Sequence, residues 1–145
     1  MIRFDNRVAI VTGAGIGLGR SHALGLAARG AKVVVNDLGV DASGVGCSSA
    51  AANAVVDEIE ALGGEAFANG ADVSNSEQVI NMINQTMQRW GRIDILVNNA
   101  GILRDKSFAK MSFDDFSKVV DVHLTGSANC CHGRSHCNHY LSGHG

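Results

Sequence analysis

The stretch that decides the fold is VAIVTGAGIGLGR, residues 8–20. Its first four residues form a short, continuous apolar run, which is typical of a strand buried on both faces. Thr12 and four alternating glycines follow, and they lead into an amphipathic segment that ends near Arg29. A phosphate on a helix N-terminus needs free N–H groups and no Cβ atoms in the way, which Gly13, Gly17 and Gly19 provide. The stretch therefore predicts a phosphate-binding turn; a merely flexible loop is the alternative.

Apolar strands and amphipathic helices alternate along the rest of the chain. The sequence predicts strands at 8–11, 32–36, 65–69 and 93–97, and helices at 18–29, 50–62, 74–90 and 112–124. Ser74 and Glu77 are expected to form a capping box at the third helix. Strict alternation with buried strands indicates an α/β fold, a doubly wound parallel sheet with helices on both faces. The simplest strand order is 3-2-1-4.

Length and composition exclude several classes of protein. The 145 residues suit one domain, and 12 basic against 14 acidic residues leave no basic surplus for nucleic acid. No apolar stretch reaches the roughly 18 residues of a membrane span, and the N-terminus lacks a signal-peptide profile. The spacing of the four cysteines does not indicate a disulfide framework. We therefore expect a cytoplasmic protein with neither nucleic acid nor membrane as a partner.

Acidic residues follow two of the predicted strands. Asp37 ends the second strand, 18 residues after Gly19. A carboxylate there can accept both hydroxyls of an adenosine ribose and would repel a 2′-phosphate, which favours NAD over NADP. A turn cap is its alternative role. Asp72 and Val73 follow the third strand, where they can border an adenine ring, although an Asp before a helix is often only structural.

The fourth strand is followed by the polar turn Asn98-Asn99-Ala100-Gly101. This turn comes at the carboxyl edge, where doubly wound sheets bind ligands. Amides there can hydrogen-bond neighbouring strands, and Gly101 allows a cofactor to approach closely. A plain turn is the alternative, because Asn tolerates left-handed backbone.

Two motifs carry a resemblance to a known family. Thr12-Gly13-x-x-x-Gly17-x-Gly19 and Asn98-Asn99-Ala100-Gly101, at this separation, resemble the short-chain dehydrogenase/reductase family over about residues 3–131. The (3R)-hydroxyacyl-CoA dehydrogenase branch, related to the N-terminal part of peroxisomal multifunctional enzymes, is more similar still. That closer likeness rests on Asn36-Asp37-Leu38-Gly39, Gly44-Val45-Gly46 and Gly101-Ile102-Leu103-Arg104-Asp105.

The resemblance implies a Rossmann-type fold, NAD as cofactor and a tendency to form homo-oligomers. His123 lies where many members have an Asn that supports a proton-relay water. The implied cofactor-binding residues are Thr12, Gly13, Gly15, Ile16, Gly17, Gly19, Asp37, Asp72, Val73, Asn99, Ala100 and Gly101.

The family's catalytic residues have no match in this sequence. The resemblance implies a Ser, a proton-transferring Tyr, and a Lys four residues later that lowers the pKa of the phenol. The single tyrosine, Tyr140, is followed at that distance by His144, and no strand is predicted between Leu124 and Tyr140. Ser127, Tyr140 and His144 are therefore not expected to form a variant triad. We assign no catalytic residue and expect a fold truncated after its fourth strand and fourth helix.

The last fourteen residues differ in composition from the rest of the chain. Residues 132–145 hold four of the six histidines and show no apolar periodicity. We expect an NAD(P)-binding domain over 1–131 and an aberrant His/Cys-rich tail over 132–145, such as a frameshift product. Zinc binding by the tail is the alternative, but the spacing matches no closed zinc module, so no metal site is predicted. The ligands in that alternative are Cys131, His132, His136, Cys137 and His139.

Two functional hypotheses follow from the sequence. The first is an NAD-dependent oxidoreductase that acts on a secondary alcohol or ketone, a 3-hydroxyacyl thioester or a steroid-like molecule. The second is a catalytically inactive dinucleotide-binding or interaction fragment. The resemblance also keeps a peroxisomal location open beside the cytoplasmic one.

Overall fold

A computed structural model describes residues 1–39, 48–102 and 107–142, without the side chains of Phe108 and residues 136–142. Within these residues, four strands alternate with helices. The strands are β1 (Val8–Val11), β2 (Lys32–Asn36), β3 (Ala66–Asn69) and β4 (Ile95–Val97). The helices are α1 (Gly17–Ala28), α2 (Ala50–Ala61), α3 (Ser76–Trp90), α4 (Phe113–Val120) and α5 (Gly126–Ser142). A short 3₁₀ helix spans Phe108–Lys110, and a π-helical turn, Asp121–Thr125, joins α4 to α5.

The four strands form one parallel sheet in the order β3-β2-β1-β4. This result confirms both the α/β class and the strand order predicted from the sequence. In the register, Val11 of β1 lies beside Val35 of β2 and Val97 of β4. All four strands therefore end at the same edge of the sheet, where the loops that follow them meet.

The core lies in two layers, one on each face of the sheet. Ile10 and Val34 face a layer formed with α3 and α5, whereas Val33 and Val35 face α1 and α2. Neighbouring residues of a strand point to opposite faces, so the continuous apolar runs fill both layers. Helices on both faces confirm the predicted doubly wound arrangement.

The cap of α3 differs from the sequence prediction. The N-cap is Asn75, whose side chain accepts a hydrogen bond from the Gln78 N–H, so the predicted capping box of Ser74 and Glu77 is wrong. Ser74 instead donates its hydroxyl to the Asp72 carboxylate at 2.6 Å. The Asp72 side chain closes a tight turn with Ser74, and this turn moves the helix start one residue along.

The last helical segment is longer than the sequence predicts. The chain continues from α4 through the π-helical turn into α5, which crosses residue 131 without a break. Cys130 is fully buried, and Gly133 packs against Ile83 of α3. No residue of α4 is fully buried: Phe116 is exposed, and Val119 and Val120 are half-buried.

Candidate dinucleotide site

A cleft of about 470 Å³ opens at the carboxyl edge of the sheet. It collects the ends of all four strands, as expected for a ligand site of a doubly wound sheet. The lining residues that the sequence predicted are Gly13, Ile16, Asp37, Asp72, Val73, Asn99, Ala100 and Gly101. Leu18, Asn36, Leu38, Ala71, Ile102 and Val122 also line it, and most of them are neighbours in sequence of the predicted residues.

The turn between β1 and α1 has the backbone and the clearance of a phosphate loop. Gly13 and Gly17 have φ values of +62° and +58°, which side-chain-bearing residues rarely adopt. A Cβ on Gly13 would lie 2.8 Å from the Ala100 Cα atom. The N-cap, Ile16, makes no side-chain cap hydrogen bond, whereas Asn75 and Ser112 cap α3 and α4. The first N–H groups of α1 therefore remain available beside the cleft.

Thr12 and Asn99 connect the phosphate loop to the turn after β4. The buried Thr12 Oγ1 accepts hydrogen bonds from the N–H groups of Asn99 and Ala100, both at 3.0 Å. The Asn99 Nδ2 donates to the Gly13 carbonyl at 3.1 Å. Thr12 does not line the cleft, so its contribution is to hold the two turns in register.

Asp37 joins the phosphate loop to the end of β2. Its Oδ2 accepts from the Gly15 N–H at 2.8 Å, and its Oδ1 accepts from the Gly39 N–H at 2.7 Å. The carboxylate is thus fixed at the cleft as a turn cap, the alternative role considered for it. Gly15 and Gly19 lie behind the lining, where both are buried and lack room for a Cβ.

Asp72 and Val73 form another part of the wall. Asp72 accepts from the N–H and the hydroxyl of Ser74, so it has the structural role that the sequence left open. The Val73 carbonyl accepts from Asn129 Nδ2 at 2.9 Å, and a Cβ on Gly126 would collide with the Val73 side chain. Helix α5 therefore supports this wall from behind.

His123 lies on the π-helical turn, a feature that often occurs at functional sites. Its Nε2 is 3.0 Å from the Ile102 carbonyl oxygen and 3.2 Å from the Ile102 nitrogen. Gly101 packs against the imidazole ring, and a Cβ there would lie 2.5 Å from its Cε1 atom. Because glycine has no side chain, position 101 leaves room for the His123 ring.

The family model for short chain dehydrogenase matches residues 7–137. The chain belongs to this family of oxidoreductases. It is 57% identical over 129 residues to the peroxisomal multifunctional enzyme type 2 of Drosophila melanogaster. It is 54% identical over 125 residues to the peroxisomal hydratase-dehydrogenase-epimerase of Saccharomyces cerevisiae. These relatives confirm the resemblance to the multifunctional-enzyme branch.

Solved structures of short-chain dehydrogenases share the fold. One from Mycobacterium avium is 47% identical, with a TM-score of 0.87 over 97% of this chain. A 7α-hydroxysteroid dehydrogenase complexed with NADH and 7-oxo glycochenodeoxycholic acid is 36% identical, with a TM-score of 0.81 over 91% of this chain. The chain spans 49% and 48% of these two structures, and 21% and 14% of the fly and yeast relatives.

Several residues that figure in the predictions from the sequence lie outside the described residues. These are Cys47, Gly44-Val45-Gly46, residues 103–105 and His144, together with the side chains of His136, Cys137, His139 and Tyr140. Ser127 lies on α5 and donates its hydroxyl to the His123 carbonyl at 2.8 Å. In the part of the chain that the structure describes, no three His, Cys, Asp or Glu side chains could hold a metal ion. Nor does any helix of that part have the length and apolarity to cross a bilayer.

Proposed function

We propose that this chain is the dinucleotide-binding part of an NAD-dependent short-chain dehydrogenase. The single observation that carries the proposal is the cleft where the phosphate loop, Asp37 and the turn after β4 meet. Within a complete domain, such a cofactor exchanges a hydride with a secondary alcohol or ketone.

The phosphate loop fits the pyrophosphate of a dinucleotide. The N-terminus of α1 has no side-chain cap, and its N–H groups and helix dipole attract an anion. Gly13 and Gly17 let an anion approach the backbone because neither has a Cβ. The loop is also held rigidly, since Asn99 and Asp37 bond its Gly13 carbonyl and its Gly15 N–H.

Asp37 supports NAD rather than NADP as the cofactor. Each of its two oxygens accepts one backbone N–H, which leaves lone pairs for ribose hydroxyls. The carboxylate is held in place by these bonds, so it cannot easily turn away from a 2′-phosphate. Like charges at such short range cost affinity, and NADP is therefore expected to bind more weakly.

The family transfers a proton through a Tyr and a Lys four residues later, and this sequence has no residues that match that pair. Tyr140 is followed by His144 rather than by Lys, and Ser127 is bonded to the helix backbone. The proposed activity of the 145-residue chain is therefore NAD binding without turnover. For the complete domain, the names of the relatives support a 3-hydroxyacyl thioester or steroid-like substrate, and a peroxisomal location over the cytoplasmic one.

Calorimetric titration of the purified chain with NAD⁺ and with NADP⁺ tests this proposal. We expect saturable binding of NAD⁺. The affinity for NADP⁺ should be weaker by at least about tenfold. Incubation with NAD⁺ and a 3-hydroxyacyl-CoA should form no NADH. Equal affinities would refute the role of Asp37, the absence of any binding would refute the site, and steady NADH formation would refute binding without turnover.

A further inference from the structure

Asn36 is a buried amide in the wall of the dinucleotide site, and the proposed function gives it no role. It ends β2, is 1% exposed and lines the cleft, which Ala71 and Val73 also line. Successive side chains of a strand point to opposite sides. Asp37 bonds the phosphate loop, whereas Asn36 bonds the turn that follows β3. That turn is the one that the sequence predicts to border an adenine ring.

The side-chain nitrogen of Asn36 is used by this turn. Nδ2 lies 3.1 Å from the Ala71 carbonyl oxygen and 3.3 Å from both the carbonyl oxygen and the Oδ1 of Asn69. Backbone carbonyls can only accept, so these contacts fix which end of the amide carries the nitrogen. Asn69 is held in turn, because its Oδ1 accepts from the Ala71 N–H at 2.9 Å and its Nδ2 donates to Gln85 of α3 at 3.1 Å. The Asn36 amide therefore cannot turn around without losing its partners.

The side-chain oxygen of Asn36 has no donor among the described residues, since every hydrogen bond of this side chain is donated by Nδ2. In that part of the chain, the one fully sealed side-chain polar atom without a partner is the Nε of Arg134. Asn36 Oδ1 is therefore not sealed off, and the space that its residue lines is the cleft. Buried amide oxygens are almost always paired. An unpaired one beside a cleft indicates a bond that a ligand completes.

We propose that Asn36 is a specificity-determining residue of the dinucleotide site, whose Oδ1 accepts a hydrogen bond from the amino group of adenine. The inference rests on the proposed function, because it requires a dinucleotide in the cleft. Asp37 is assigned to the ribose hydroxyls, so the amino group is the donor that remains on adenosine.

The amino group has two hydrogens, so Asp72 can share it with Asn36. Both bonds from Ser74 reach Oδ1 of Asp72 and not its Oδ2. A base with a carbonyl oxygen in place of the amino group would bring two acceptors together with no proton between them. A site built around a donor rejects an analogue that lacks it, because its own polar group is then left unpaired.

A double-mutant cycle between protein and ligand tests the proposal. Calorimetry compares NAD⁺ with nicotinamide hypoxanthine dinucleotide, in which a carbonyl oxygen replaces the amino group. We expect the parent to bind NAD⁺ at least about tenfold more tightly than this analogue. In Asn36→Leu, which keeps the shape but has no acceptor, the ratio of the two dissociation constants should fall about fivefold. Asn69→Leu is the matched control: it breaks the same bond between Asn36 and Asn69 but keeps the Asn36 Oδ1, so the parent ratio should persist.

An unchanged ratio in Asn36→Leu would overturn the proposal, and so would an equal fall in Asn69→Leu, which a distorted fold explains. A parent that binds both dinucleotides equally refutes recognition of the amino group but leaves the proposed function standing. A parent that binds neither refutes both. If Asn36→Leu fails to fold, the parent chain still provides a test. The side-chain carbonyl carbon of Asn36, assigned by triple-resonance NMR, should shift more with NAD⁺ than with the analogue, and equal shifts would count against Oδ1.

Discussion

At the scale of single residues, Gly13 is needed for its backbone conformation as well as for space. Its φ is +62°, a conformation that residues with a side chain rarely adopt. A Cβ at this position would also lie only 2.8 Å from the Ala100 Cα atom. We expect Gly13→Ala to lower the free energy of unfolding by about 2 kcal/mol or more. Gly25, in α1 with open space around it, is the control, and Gly25→Ala should raise that energy by about 0.5–1 kcal/mol. Urea unfolding measures both, and equal effects would contradict the argument.

The carboxylate of Asp37 determines the expected cofactor preference. Asp37→Asn removes the negative charge but keeps an oxygen that can accept from the Gly15 N–H. We expect the ratio of the NADP⁺ to the NAD⁺ dissociation constant to fall about tenfold, since repulsion of the 2′-phosphate is lost. Asp57→Asn makes the same charge change on the exposed face of α2 and should leave the ratio unchanged. Calorimetry that gives the same ratio for both variants would rule out this role.

Asp94 should make the stability of the protein depend on acid pH. Burial raises the pKa of its carboxyl, but hydrogen bonds from Arg92 and the Val8 N–H lower it by more, so the net pKa lies below 3.8. A carboxyl with a lowered folded-state pKa stabilises the protein above its unfolded pKa, and this contribution is lost as the pH falls through the folded value. In Asp94→Asn, the free energy of unfolding should therefore vary less between about pH 5 and about pH 2. The same slope in the variant and in the parent would contradict this.

At the scale of elements, the start of α3 depends on Asn75. Its side chain bonds the Gln78 N–H at 3.1 Å, one of the donors that a helix leaves unpaired. Asn75→Ala should cost about 1 kcal/mol of unfolding free energy, whereas Asn75→Asp keeps the acceptor and should cost much less. Thermal or urea unfolding separates the two variants, and equal losses would show that the cap contributes little.

The sequence predicts some elements better than others, for identifiable reasons. Strands β1 and β2 are evident because both of their faces are buried, which requires continuous apolar runs. Helix α5 is not evident from the sequence, which predicts a last helix that ends at 124, because α5 packs on α3 through small residues, Cys130 and Gly133, instead of a large apolar stripe. The sequence does not determine the cap of α3, because Ser74, Asn75 and Asp72 can all accept from nearby N–H groups and only the folded turn selects among them.

At the scale of the whole molecule, the site is more predictable than the roles of its residues. Parallel strands place their carboxyl ends together, so the sequence predicts that Gly13, Asp37, Val73 and Asn99 meet at one cleft, as they do. The sequence could not distinguish residues that line the cleft from those that support it. Thr12 is the example, because its role follows from hydrogen bonds across 87 residues of chain.

The surface of the whole molecule also indicates how it behaves at high concentration. Phe113, Phe116 and Leu124 are 83%, 45% and 68% exposed, and β4 forms one edge of the described sheet. Exposed apolar groups and an open strand edge both favour association. We therefore expect the apparent mass of the chain in sedimentation velocity to rise with concentration.

Substitution of the two rings tests whether this surface causes the association. Phe113→Ser with Phe116→Ser should weaken self-association by about tenfold or more, since burial of each ring stabilises the contact by about 1.5–3 kcal/mol. Ile2→Ser removes a side chain that is 72% exposed in the N-terminal segment before β1 and serves as the control. If the double variant associates as strongly as the parent, the contact forms elsewhere, and the open edge of β4 becomes the surface to change next.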